Sequence, residues 1–129
     1  MSKHYLIWGF SFGLISIILG AFAAHALKEI LTVQQLESFN TGVRYQMYHA
    51  LLLVILSQLK FAHSKVVLYL IVLGVFLFSF SIYLLNLKAT LNAPFLVALG
   101  PITPIGGLLL ISAWSILLVK SISTNSAQA

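Results

Sequence analysis

The sequence predicts an all-α fold: an integral membrane four-helix bundle, antiparallel, with a short interfacial helix between helices 1 and 2. Three stretches lack Asp, Glu, Lys and Arg, namely 4–27, 66–87 and 89–119, and a fourth, 45–59, reaches spanning length with its flanks. A hydrocarbon core about 30 Å thick needs roughly 20 apolar residues at 1.5 Å per helical residue. Hydrophobic residues make up 60% of the chain and charged ones 7%, against about 25% charged in soluble domains. We therefore expect one transmembrane domain over residues 1–129.

Basic residues stand singly at the edges of the apolar runs rather than in a cluster. This placement favours anionic lipid headgroups, and so the lipid bilayer, over nucleic acid as a partner. Four of them lie at one end of the predicted spans and three at the other, which weakly favours cytoplasmic termini. They are Lys3, Lys60, Lys65 and Lys120 at one end, and Lys28, Arg44 and Lys88 at the other.

Helix 1 is predicted over about 4–27, with small residues along one stripe. Their spacing allows another helix to approach backbone to backbone, and the partner is left open between helix 3, helix 4 and a second copy. The stripe consists of Gly9, Gly13, Ser16, Gly20 and Ala24. This segment also resembles a signal peptide, but its length and its stripe favour retention as a helix.

The segment 28–41 is predicted to hold a short helix on the membrane surface. Thr32 and Gln35 have capping-box spacing, and the pattern Asn40-Thr41-Gly42 is expected to close this helix. Helix 2 then follows over about 42–59, beginning with its most polar turns.

Helix 3 is predicted over about 66–87. Ser79, Tyr83 and Asn86 form a polar line along it, and such neutral groups usually hydrogen-bond between membrane helices.

Helix 4 is predicted over about 102–120, because proline fits the first turn of a helix and disrupts its interior. Pro94, Pro101 and Pro104 crowd the start of this region. Residues 94–100 then form a partly inserted approach; a longer, kinked helix is the alternative. The polar tail after Lys120 is expected to fray.

One polar constellation joins the end of helix 1 to the start of helix 2, and its residues are the candidate ligand-binding set. They are His25, Arg44, Tyr45, Gln46 and His49. His49 is expected roughly 7.5 Å deeper than Arg44. Trp114, like other aromatic residues, is expected near a span end as part of an aromatic belt.

Several interpretations of this set are open. The groups can simply satisfy one another and the free backbone of two helix ends. Arg44, Tyr45, Gln46 and His49 can bind an anionic headgroup or a quinone-like carbonyl; His49 can relay protons; and His25, Glu29 and His49 can hold a metal. The metal hypothesis is the weakest, since Glu29 adjoins Lys28 in a turn, and no metal or cofactor is predicted.

Other function classes fit the sequence poorly. Glu29 and Glu37 are the two acidic residues and both follow helix 1, so no membrane-embedded carboxylate is available for ion-coupled transport. The chain has no cysteine and no hydrolase or phosphate-binding motif. We expect a protein that is not an enzyme.

Two segments resemble the signatures of the YgdD/YwdK-type small inner-membrane proteins, a domain-of-unknown-function family. They are Leu-Gly-Ala-Phe-Ala-Ala-His-Ala-Leu-Lys at 19–28 and Thr-Gly-Val-Arg-Tyr-Gln-Met-Tyr-His-Ala-Leu-Leu-Leu at 41–53, with later motifs at 78–83 and 103–107. Ala23, Phe80 and Ala113 stand where the family often has glycine. The resemblance implies a four-helix inner-membrane protein and supplies no reaction.

Together these observations predict a multi-pass membrane protein that binds a lipid or a partner membrane protein at one leaflet, possible homodimers included. The alternative is a small transport or channel component. A polar path across the whole membrane favours transport, and a polar patch confined to one leaflet favours binding.

Overall fold

The computed structural model describes residues 1–125, and these residues are helical with short connections. Four long helical segments follow one another along the chain. They are α1 (Ser2–Ala24), α2 (Val33–Leu56), a third segment made of α3 (Lys65–Val75), a π-helical stretch (Phe76–Phe80) and α4 (Ser81–Leu87), and α5 (Ile102–Ser123). Short 3-10 turns occupy Leu27–Glu29, Lys60–Ala62 and Pro94–Leu99.

Three helical stretches are long and apolar enough to cross a membrane. They are Ser2–Glu29, Lys65–Leu87 and Pro94–Ser123. The predicted fourth span, α2, is not among them. Its sequence explains this, since its middle turns carry Arg44, Gln46 and His49.

The start of α2 differs from the prediction. The capping box is present: the Thr32 side chain accepts a hydrogen bond from the Gln35 backbone at 3.1 Å, and the Gln35 side chain accepts one from the Thr32 backbone at 3.0 Å. The helix it begins does not close at Asn40-Thr41-Gly42, however, but continues to Leu56. A separate interfacial helix is therefore absent from this segment. Gly42 lies inside the helix, where a Cβ atom would come within 2.7 Å of the Tyr83 ring, so its small size serves packing rather than termination.

Consecutive segments run in opposite directions. Gly9 of α1 faces Val54 of α2, Gly13 faces Ala50 and Gly20 faces Val43, so each step along α1 matches an equal step back along α2. Hydrogen bonds give the same direction for α2 and the third segment: they join Ser38 to Asn86 and Gln46 to Tyr83. Contacts of Ser81 with Thr103 and of Gly74 with Leu110 place α5 antiparallel to the third segment.

Buried side chains form two clusters, of which the larger reaches from one end of the molecule to its middle and the smaller lies at the opposite end. The larger one includes Tyr5, Phe12, Leu53, Val67 and Ile71. The Tyr5 hydroxyl donates to the Ser64 carbonyl at 2.9 Å and accepts from the Ser64 N–H at 3.2 Å, which ties α1 to the start of α3. We call this the terminal end of the molecule.

The smaller cluster includes Ala23, Phe39 and Tyr83 and lies at the end with the α1–α2 connection. We call this the loop end. A 3-10 turn over Pro94–Leu99 leads into α5, which begins at Ile102 and runs past Lys120 to Ser123. The remainder of the predicted frayed tail, 126–129, lies outside the described residues.

Candidate functional site

His49 lies level with the middle of α1. The α1–α2 register places it opposite Leu14, next to Gly13, the central residue of Ser2–Ala24. Because α1 has the length of a membrane span, this level is the middle of a candidate span. His49 is 4% exposed, so the candidate site reaches deeper than the helix-end position predicted for it.

Both ring nitrogens of His49 have partners. Nδ1 lies 2.7 Å from the carbonyl oxygen of Tyr45, and Nε2 lies 3.1 Å from Nε1 of Trp114. A carbonyl only accepts and an indole N–H only donates. Nδ1 therefore carries the hydrogen, Nε2 accepts, and the imidazole is neutral with neither nitrogen free for a metal.

Trp114 is the partner that sequence reasoning placed wrongly. The prediction places it in an aromatic belt near a span end, but Trp114 lies near the middle of α5, where its indole meets His49 with the two rings edge to face. The sequence does show that an indole N–H is available as a hydrogen-bond donor. The position of Trp114 opposite His49 depends on how α2 and α5 pack, which the neighbouring residues do not determine.

Gln46 is fully buried and connects three helical segments. Its Nε2 donates to the Phe12 carbonyl at 2.9 Å, and its Oε1 accepts from the Tyr83 hydroxyl at 2.7 Å. The Ser16 hydroxyl, one turn from Phe12, is buried without a hydrogen-bond partner. In a helix this hydroxyl would usually bond the carbonyl four residues back, but that Phe12 carbonyl already receives the Gln46 amide. Gln46 is therefore a structural link with both ends of its amide occupied.

Two further members of the predicted polar line also bond across helices. The Ser79 hydroxyl donates to the Gly42 carbonyl at 2.8 Å, and the Asn86 amide donates to the Ser38 hydroxyl at 3.0 Å. Together with Tyr83, these confirm the interhelical bonds predicted for this line.

Arg44 and Tyr45 lie on the exposed side of α2. Arg44 donates to the Thr41 hydroxyl at 3.0 Å, which directs it toward the loop end. The Tyr45 ring packs against Phe78, with centroids 5.0 Å apart, and against Tyr48 at 5.8 Å. Tyr45 thus forms part of an aromatic wall rather than a joint polar cluster with Arg44.

His25 does not join the other four residues. It caps the end of α1 and is exposed, beside Ile18 and Phe22 on the outer face of the helix. The α1–α2 register brings it level with Ser38, eleven residues and roughly 16 Å along the axis from His49. The arrangement of His25, Glu29 and His49 that the metal hypothesis requires is not present, and no group of three or more His, Asp or Glu side chains in residues 1–125 could hold a metal ion.

A groove opens between α2, the π-helical stretch and α5, and we call it the central groove. Its volume is about 660 Å³, within the range of small-molecule sites. The residues around it are mainly apolar and aromatic, and His49 is among the most buried of them. They include Tyr45, His49, Phe78, Ile111, Trp114 and Ser115.

The predicted helix-packing residues occupy different environments. Gly9 is in close contact, because a Cβ atom there would lie 2.8 Å from Val54 and 3.0 Å from the Ala50 carbonyl oxygen. Gly13 and Gly20 also face α2, but with room for a methyl group, at 3.9 and 3.6 Å from their neighbours. Ala24 is exposed, and Ala23 is buried instead. At the end of α1 it is therefore Ala23, not Ala24, that faces the rest of the protein.

The tightest approach involves glycines outside that stripe. A Cβ atom on Gly106 would overlap the backbone of Leu77 and Phe78, and one on Gly74 would clash with Leu110. Ala113 is fully buried in α5. The sequence feature that indicates this contact between α5 and the third segment is the Gly106-Gly107 pair. The nearby prolines favour interpreting that region as the start of a helix rather than as a packing surface.

Residues 19–107 match the family described as "Protein of unknown function (DUF423)". The chain belongs to this family. That stretch contains Gln46, His49 and the π-helical segment, whereas Trp114 and most of the α5 wall of the groove lie beyond it.

Named relatives are similar over almost their whole length. The UPF0382 membrane protein of Haemophilus influenzae is 39% identical, over 98% of this chain and 99% of the relative. The UPF0382 membrane protein YwdK of Bacillus subtilis is 34% identical, over 93% and 97%. The UPF0382 inner membrane protein YgdD of Escherichia coli is 32% identical, over 94% and 91%. No solved structure matches the chain.

These relatives confirm the predicted resemblance and the location in the inner membrane. The names of these relatives mention no enzyme activity. The family is therefore one of uncharacterised membrane proteins.

Proposed function

We propose that this protein is a non-enzymatic integral membrane protein that binds a lipid through the central groove. The carrying observation is the position of the groove. It lies between α2 and α5 at the level of the middle of α1, and exposed residues such as Ile111 and Leu118 border it. A lipid in the bilayer can therefore enter it sideways.

The proposal includes all four long helical segments as membrane spans in an antiparallel bundle. The α1–α2 register supports a transmembrane position for α2, because residues 7–24 of α1 stand beside residues 39–56 of α2. The first turns of α2, with Glu37, then project beyond the end of α1 into the headgroup region. Arg44 remains inside the span and reaches outward by way of Thr41, as long basic side chains do near helix ends.

Binding is favoured over a channel by the distribution of buried polar groups. Ser79, Gln46 and His49 lead from the loop end to the middle of the protein. Beyond His49, the buried face of α2 consists of Ala50, Leu53 and Leu56. This apolar layer lies between these polar groups and the terminal end, which argues against a continuous polar path for an ion through the described residues.

The hydrogen bonds of His49 favour a binding role over a catalytic one. Both of its nitrogens are engaged, by Tyr45 and by Trp114, whereas a general base needs a free nitrogen within reach of a substrate proton. Instead, His49 supplies the mainly apolar groove with one polar side chain in a fixed position, which can orient a bound lipid.

Native mass spectrometry of the gently extracted protein tests the proposal. We expect a retained lipid in the parent protein and its loss in Ile111→Trp, where the larger side chain fills the groove. Leu108→Trp is the matched control, since Leu108 lies on the same helix, is likewise 63% exposed and does not border the groove.

A protein that retains no lipid, or variants that behave alike, would count against lipid binding at this groove. Retention of a second polypeptide, lost only in Ile111→Trp, would instead favour a homodimer or a partner membrane protein as the occupant.

A further inference from the structure

A second groove adjoins the central groove on the side of the terminal end. Its volume is about 300 Å³, and we call it the terminal groove. Trp114 and Leu118 line both grooves, so the two meet at these side chains. Residues that line the terminal groove alone include Leu52, Ile55, Leu56, Leu59, Leu117 and Ser121.

The two grooves follow the same face of each helix. Lining residues on α2 recur at steps of four, three and four, namely Tyr45, His49, Leu52 and Leu56. Lining residues on α5 recur at steps of four, three, four and three, namely Gly107, Ile111, Trp114, Leu118 and Ser121. Residues at such steps lie above one another on one side of an α-helix. The grooves are therefore two parts of one elongated cleft, which we call the α2–α5 cleft.

The α2–α5 cleft is long and narrows toward the terminal end. From Gly107 to Ser121 its lining covers fourteen residues of α5, which rise about 21 Å along the helix axis. Half of a hydrocarbon core is only about 15 Å deep. The volume falls from about 660 Å³ in the central groove to about 300 Å³ in the terminal groove. The cleft therefore extends farther than one leaflet and has its wider part toward the loop end.

The walls of the cleft offer no partner for an ionised headgroup. Within the described part of the chain, no charged side chain lines either groove. Beyond Tyr45, the polar side chains of the walls bond within the protein. His49 accepts from Trp114, and the hydroxyls of Ser115 and Ser121 each donate to a carbonyl of α5 at 2.8 Å. Since an unpaired polar group is costly to bury, the part of a ligand that fills the cleft is uncharged and apolar.

We propose that the α2–α5 cleft holds the tail of a long isoprenoid lipid, which fills the central groove and continues past Trp114 into the terminal groove. The proposal rests on lipid binding in the central groove and names the class of that lipid. The two acyl chains of a phospholipid stay within one leaflet and end at similar depths, whereas the cleft is longer than a leaflet and narrows along its course. A polyisoprenoid tail is single, uncharged and long enough for the whole cleft.

Isoprenoid alcohols of different length test how far the bound chain extends. The full-length protein in detergent is given farnesol, which is short enough for the central groove alone, or solanesol, which is long enough for the whole cleft. Native mass spectrometry measures the retained alcohol, and we expect solanesol to be retained about tenfold more strongly than farnesol. Ubiquinone with the same solanesyl tail should be retained like solanesol, because the tail is the part that the cleft recognises.

Ile55→Trp fills the terminal groove alone, because Ile55 lines that groove and not the central one. It should remove the advantage of solanesol and leave the retention of farnesol unchanged. Leu51→Trp is the matched control, since Leu51 lies one turn earlier on α2, is 55% exposed against 57% for Ile55, and lines neither groove. Ser121→Trp fills the terminal groove from α5 and should act like Ile55→Trp, without depending on how α2 tolerates its substitution.

Several results would overturn the inference. They are equal retention of the two alcohols by the parent, an advantage of solanesol that persists in Ile55→Trp and Ser121→Trp, and an advantage that Leu51→Trp removes as well. Retention of the quinone without the alcohol would also overturn it, since recognition would then belong to the ring.

Failure of lipid binding in the central groove gives a different result. In that case Ile111→Trp leaves the retention of farnesol and of phospholipid unchanged. A phospholipid that is lost in Ile111→Trp but is not displaced by solanesol would keep lipid binding in the central groove and overturn the isoprenoid tail.

Discussion

Gly106 of α5 lies directly against the backbone nitrogen of Phe78, so closely that a Cβ atom on Gly106 would overlap it. The contact falls in the π-helical stretch Phe76–Phe80, in the middle of the third span. Small residues allow membrane helices to approach backbone to backbone. Here one glycine brings α5 close enough to form the wall of the central groove, with Gly107 beside the ring of Phe78.

Gly106→Ala is expected to destabilise the protein by about 2 kcal/mol or more, because backbone atoms of Leu77 and Phe78 cannot move aside as a side chain can. Gly107→Ala is the matched control, since its Cβ atom would lie 3.7 Å from the Phe78 ring, an ordinary contact. Thermal unfolding in detergent, followed by circular dichroism, measures both. Equal stability of the two variants would contradict the contact at Gly106.

A second pair of glycines distinguishes a tight seam from a loose one on α1. Gly9→Ala should cost about 1 kcal/mol, because its Cβ atom would meet the Ala50 carbonyl oxygen at 3.0 Å. Gly13→Ala should be neutral, or should stabilise by up to about 1 kcal/mol, since it adds helix propensity where the nearest atom is 3.9 Å away. The same unfolding assay decides, and a larger loss at Gly13 than at Gly9 would refute the register of α1 on α2.

Local patterns in the sequence predicted some of these features well. The capping box of Thr32 and Gln35 depends on residues three apart, and the polar line of Ser79, Tyr83 and Asn86 depends on helix periodicity alone. Both could be read without knowing the partner helix.

Features that depend on contacts between distant segments were not predicted. The sequence around Gly42 predicts the end of a helix. Its actual role, to leave space for the Tyr83 ring, depends on the packing of α4 against α2. The depth of His49, the separation of His25 and the pairing with Trp114 all follow from the register between helices, which composition and spacing do not determine.

Two buried serines should respond differently to loss of the hydroxyl. Ser16 is 1% exposed, and its hydroxyl lacks a hydrogen-bond partner. Ser16→Ala should therefore change the free energy of unfolding by less than about 0.5 kcal/mol. Ser79→Ala should cost about 1 kcal/mol, since it removes the bond to the Gly42 carbonyl. Both variants are measured by the same thermal unfolding. A marked loss of stability in Ser16→Ala would indicate that the Ser16 hydroxyl does have a hydrogen-bond partner.

The bond between His49 and Trp114 joins α2 to α5 beside the central groove. Trp114→Phe keeps an aromatic ring but removes the indole N–H, and should cost about 0.6–1.7 kcal/mol of stability. His49→Ala should also weaken folding or lipid retention while membrane insertion, measured by fractionation, stays intact. Trp8→Phe is the control for loss of an indole, since Trp8 packs on Phe76 and Phe12 through its ring.

A double-mutant cycle separates this bond from general packing at the same site. If the His49–Trp114 hydrogen bond accounts for the loss, Trp114→Phe should have little further effect in a His49→Ala background, because the acceptor is already absent. Additive losses in the double variant would mean that the two side chains stabilise the fold independently. In that case the α2–α5 junction would depend on the bulk of the indole ring rather than on its N–H.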